Sequence, residues 1–167
     1  MGICMESIDK LTEIMKKEVD QLTRFAAIGE SIMQDLMEKD WENLQVHLTL
    51  SNTLSQSIES AESERDLLYR DIKESLYAAE NENFYQVISK LEPEKRDRLT
   101  EAFRNLKLAL LQAQGASWRI EAYVASAGST MKELLNRIFP HRKGTLYSRS
   151  GAAREAGNNP LVLNKKL

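Results

Sequence analysis

The sequence predicts an all-α fold, an elongated antiparallel three-helix bundle or coiled coil, on three observations. Apolar residues return at alternating steps of three and four along three long stretches, the period of a helix whose seam stays against a partner. Seven glycines and three prolines in 167 residues are too few to punctuate a β fold. The connection between the first two stretches is short enough to force antiparallel neighbours. A chain that is 42% hydrophobic and 29% charged can fill a core and still solvate its outer faces. Helix content above roughly 70% is expected, against an average near one third.

The first helix is predicted from about Glu6 to Met37, with a stripe of Ile8, Leu11, Met15, Leu22, Phe25, Gly29, Ile32 and Leu36. Glu18 interrupts the stripe, and Val19 beside it is expected to take the seam position. Ser7 and Asp9 are both candidate caps. Lys39-Asp40-Trp41 breaks the rhythm: Asp40 can cap a second helix and Trp41 begins its apolar face. That helix is predicted from Trp41 to Ala79 on the stripe Leu44, His47, Ser51, Leu54, Ile58, Ala61, Arg65, Leu68, Ile72, Ser75 and Ala79. Leu48, Leu50 and Leu76 are expected to widen it. A two-turn crossover helix is predicted within Glu80–Glu92, carried by Phe84, Val87, Ile88 and Leu91, with Asn81 or Asn83 as cap.

The third helix, Pro93 to Phe139, organises the rest. Its seam runs Leu99, Phe103, Leu106, Leu110, Ala113, Ser117, Ile120, Val124, Ala127, Met131, Leu134 and Ile138, with Ser117 the only polar member. Pro93 suits a first helical position, where its missing N–H is not needed, and Pro140 ends the ladder. Gly115 and Gly128 are expected to allow close helix approach, at about 1 kcal/mol each relative to alanine. Trp118 and Tyr123 flank the seam and are read as core or seam-edge packing, ahead of the alternative of an aromatic anchor for a partner.

After Phe139 the composition changes. Residues 140–167 carry six basic side chains against Glu155 alone, whereas residues 1–139 hold 24 acidic side chains against 17 basic ones. Two regions follow: a helical bundle over residues 1–139 and a basic, flexible tail over residues 140–167, mostly irregular because it has too few apolar residues for a core. Leu146-Tyr147 and Leu161-Val162-Leu163 are its apolar islands.

Cys4 is the single cysteine, which excludes an intrachain disulfide and favours a reducing compartment. No run of about 20 apolar residues predicts a membrane span, and the start lacks the basic and apolar regions of a signal peptide. Glu6 stands where a myristoylation motif needs Ser or Thr. Only His47 and His141 are present, neither three residues after a glutamate, and no phosphate-cradling glycine loop, HExxH motif or cysteine pair occurs. No catalytic residue, metal site or cofactor is therefore expected. His47, on the seam, reads as a satisfied packing histidine. The tail's few charges would give nucleic acid only a weak, salt-sensitive contact opposed by the acidic body, so no nucleic-acid partner is expected.

The hairpin with its spaced leucines and acids (Leu22, Leu36, Asp40, Leu44, Leu54, Arg65) and the segment Gly144-Thr-Leu-Tyr-Ser-Arg-Ser-Gly151 resemble the FlgN-like flagellar type III export chaperones. Leu146-Tyr147…Gly151 is similar to the family's short Leu-Tyr-x-x-x-Gly signature after the third helix. The resemblance implies a cytosolic chaperone that uses no ATP. It would bind C-terminal amphipathic segments of hook-associated (hook–filament junction) proteins, prevent their early assembly and deliver them to the membrane export gate. An amphipathic client helix needs a groove for its apolar face. The expected client-binding residues are Tyr123, Met131, Leu134, Leu135, Ile138 and Phe139, since Leu135 and Phe139 add apolar surface beyond the seam. Export-gate docking is expected at Leu146, Tyr147 and Gly151. A monomer or weak dimer is expected, and the rival reading is a structural or adaptor coiled coil that dimerises or spaces its partners.

Overall fold

A computed structural model of the chain describes residues 2–138, and four helices account for 89% of that structure, with no strand among the described residues. They are α1 (Gly2–Glu38), α2 (Trp41–Ser75), α3 (Phe84–Ile88) and α4 (Pro93–Ile138). The chain divides into two units, Met1–Ala116 and Ser117–Leu167. The predicted tail, residues 140–167, lies outside the described residues, as does Phe139.

In the first unit α1 and α2 form the expected antiparallel hairpin. Its register is read from three cross-helix pairs: Glu18 with Arg65, Gln21 with Ser57, and Asp35 with His47. The segment of α4 up to Ala116 runs parallel to α1, since Asp9 pairs with Arg98 at 3.1 Å and Thr12, Lys16 and Val19 border Ala102 and Asn105. Ile8, Leu11, Met15 and Leu22 of α1 meet Ile58, Ala61 and Ile72 of α2 and Leu99, Ala102 and Leu106 of α4 in one core. These positions recur every three or four residues, so each helix buries one face.

Several local expectations are corrected. α1 starts at Gly2, which places Ser7 and Asp9 inside the helix rather than at its cap; Asp9 serves the Arg98 ion pair instead. Glu18 does not yield the seam to Val19. It is buried against Arg65 while Val19 packs at the core's edge. Leu48 and Leu50 are exposed and do not widen the α2 stripe, although Leu76 packs on the core as expected.

The predicted caps at the first two turns hold. Asp40 accepts from the Asn43 N–H at 3.1 Å and from Asn43 Nδ2 at 2.8 Å, and these bonds keep its carboxyl below the usual range. α2 stops at Ser75 rather than Ala79. The Ala78 N–H donates to Lys73 O at 3.0 Å and the Tyr77 N–H to Glu74 O at 3.1 Å, the paired bonds of a left-handed helix end. Tyr77 takes the left-handed position there, at φ 49°, where glycine is usual. Of the two asparagines, Asn83 caps α3. Its Oδ1 accepts from the Gln86 N–H at 3.1 Å, and Gln86 Oε1 accepts from the Asn83 N–H at 2.8 Å. α3 buries Val87 and Ile88 and stacks Phe84 on Phe103 of α4 with ring centroids 4.0 Å apart.

Candidate functional site

α4 carries the candidate surface. Pro93 opens it, with the Arg96 N–H donating to Glu92 O at 3.0 Å, and no proline interrupts it before Ile138. Its apolar seam is continuous in sequence but not in burial. Leu99, Leu106 and Ala113 are buried, as are Ala102, Ala109 and Ala116 beside them. Further along the same helix Ser117, Ile120 and Tyr123 are half-buried, Val124 is 52% exposed and Met131 58% exposed. Isolated exposed leucines are ordinary on a protein surface, but seam positions with no cover are unspent interaction area.

Of the six expected client-binding residues, the structure places Tyr123 at half exposure and Met131 in the open. Leu134, Leu135 and Ile138 lie on the final turns of α4. Phe139 and the expected gate-docking residues Leu146, Tyr147 and Gly151 lie outside the described residues. The helix brings Tyr123 and Met131 two turns or so apart, a spacing a bound helix can span. Gly128, between them, does not serve close approach: a Cβ there would meet nothing within 4 Å among the described residues.

Trp118 is not the packing residue expected of it, being 58% exposed. Leu108 and Leu111, which stand outside the seam series, are also exposed. The signal was present: 108, 111, 115, 118 and 122 repeat the three-four step on a second face of the helix. In α2 Trp41, expected to begin the apolar face, is 64% exposed, and Val46 and Leu50 are exposed with it. His47 is satisfied as expected, with Nδ1 2.6 Å from Oδ2 of buried Asp35.

Among the described residues no three His, Cys, Asp or Glu side chains are grouped to hold a metal ion, and no helix is long and apolar enough to cross a membrane. One hollow in the first unit is lined by α4 alone, by Asp97, Thr100, Glu101, Arg104 and Asn105. What α4 offers is a run of apolar side chains on a helix, suited to the apolar face of another helix.

No curated protein and no solved structure matches the chain. A family model described as FlgN protein matches residues 1–155, which takes in all four helices and the Leu146-Tyr147…Gly151 segment. The chain therefore belongs to the FlgN family, and its general role is that of a flagellar export chaperone, a binder of flagellar proteins.

Proposed function

We propose that this chaperone works in the cytoplasm on hook-associated proteins, binding their C-terminal amphipathic segments, preventing early assembly and delivering them to the export gate. The observation that carries the reading is the exposure of Val124 and Met131 at seam positions of α4, in a chain of the FlgN family. Tyr123, Met131, Leu134, Leu135, Ile138 and Phe139 form the client surface. The client's apolar face completes the seam by burying area that the free chain leaves in water. The basic residues 140–167 act as a tail to the region 1–139, and Leu146, Tyr147 and Gly151 dock at the gate. A tyrosine suits a transient contact, because its ring supplies apolar area at low entropy cost while the hydroxyl keeps one polar bond.

Calorimetry with a hook-associated protein's C-terminal segment tests the client half of the reading. Leu135→Glu with Phe139→Glu should leave the melting temperature nearly unchanged and weaken binding at least about tenfold, a loss of about 1.4 kcal/mol. Unchanged affinity moves the site off this surface. Tyr147→Ala tests the handoff: melting and client affinity should stay at wild type while export of junction proteins falls. A lower melting temperature together with weaker client binding would make Tyr147 a structural latch instead.

A further inference from the structure

The α1–α2 seam is apolar on either side of Glu18 and Arg65, yet these two charges sit inside it. The Glu18 side chain is 3% exposed and that of Arg65 11%. Their closest approach, Arg65 Nη1 to Glu18 Oε2, is 3.5 Å, and among the described residues Glu18 Oε2 accepts no hydrogen bond. Arg65 is also shared, since its Nη2 donates to Asp66 Oδ1 at 3.2 Å. One turn along α1, Gln21 Nε2 donates to Ser57 Oγ at 2.7 Å while the buried Gln21 Oε1 accepts nothing among the described residues. A buried carboxylate loses its hydration, and one long ion pair divided with a second carboxylate returns only part of that loss.

The surrounding charges do not relieve it. Glu62 and Asp66 of α2 add negative potential at Glu18. Lys17 and Asp20 on α1 itself are exposed. From α4, Arg98 and Glu101, one of each sign, border the adjoining stretch of α1 beside Thr12, Lys16 and Val19. α3 carries no charged residue.

We propose that Glu18 and Arg65 form a proton-dependent latch in the hairpin: Glu18 takes a proton from water to tighten the α1–α2 seam, and releasing it loosens the seam. Burial, outweighing the nearby Arg65 charge, pushes the Glu18 carboxyl up from 4.5 to about 7. An acid whose folded-state value is raised holds its proton more tightly folded than unfolded. Its favourable contribution is complete below 4.5 and is lost as the pH rises through about 7. The hairpin therefore responds to proton activity near neutrality, a range in which ordinary glutamates are already fully ionised.

Denaturant unfolding of the full chain tests the latch. Between about pH 8 and about pH 6 the wild-type folding constant should rise about tenfold. Glu18→Gln should remove that slope. Histidines in general change charge over the same range, so the double variant His47→Gln, His141→Gln is the control and should keep it. A flat wild-type profile, or a slope that survives Glu18→Gln, overturns the proposal. If Glu18→Gln fails to fold, carbon-13 titration of the wild-type Glu18 carboxyl decides. An inflection near neutrality supports the latch, and one at the ordinary glutamate value sinks it.

Discussion

The two halves of the α1–α2 hairpin are made from the same pair of helices, yet they bury very different amounts of their apolar surface. Toward the α2–α3 turn, Ile8, Leu11, Met15 and Leu22 are fully buried, opposed by Ile58, Ala61 and Ile72 and covered by Leu99, Ala102 and Leu106 of α4. Toward the α1–α2 turn, from Phe25 to Leu54, the buried side chains are Ile32 and Asp35, while Met37, Trp41, Val46 and Leu50 are exposed. Two helices touch along a narrow strip, so a pair alone covers one row of residues on each. In the covered half the segment of α4 up to Ala116 turns flanking rows into core. Amphipathic periodicity therefore names the face that seeks cover without saying whether cover is present.

The comparison breaks most directly at Leu11. Leu11→Asp puts an unpaired charge where the three helices meet and should abolish cooperative unfolding, a loss above about 4 kcal/mol. A variant with a wild-type melt would mean that the covered half does not hold the unit together. A matched truncation sharpens the contrast. Ile72→Ala, in the covered half, should cost about 3 kcal/mol. Leu54→Ala, only half-buried, should cost about 1 kcal/mol because the removed atoms are already partly hydrated. Equal costs by denaturant titration would erase the difference between the halves. The smallest effect is expected at Trp41→Ser, within about 0.5 kcal/mol despite the size of the side chain removed. A larger fall in the unfolding midpoint would show that the indole is packed in solution.

Much of this was legible along the chain. Asp40 ahead of Trp41, Asn83 ahead of Phe84 and Pro93 ahead of the last long stretch each mark a helix start by a local bond or a missing donor, and each helix begins there. The start of α1 is not legible, because Ser7 and Asp9 resemble caps by type while Asp9 is held by Arg98, distant in sequence. The end of α2 is not legible, because the stop depends on Tyr77 adopting a left-handed backbone, which residue type does not announce. For the candidate site, the surplus of apolar residues on α4 was readable from spacing. The exposure of Trp118, Leu108 and Leu111 was not anticipated, since an apolar residue on a second face looks the same in sequence whether it packs or not.

The all-α class, the helix count, the hairpin and the seam on each helix are local properties, because capping and three-four periodicity are set by residues within one or two turns. Packing between helices sets the rest: Glu18 lies in the core against Arg65, Asp35 is buried beside His47, and along α4 Leu106 is buried while Met131 is exposed. Burial is a property of what lies opposite a residue, and for these positions the opposite surface, where there is one, comes from a helix far away in the chain.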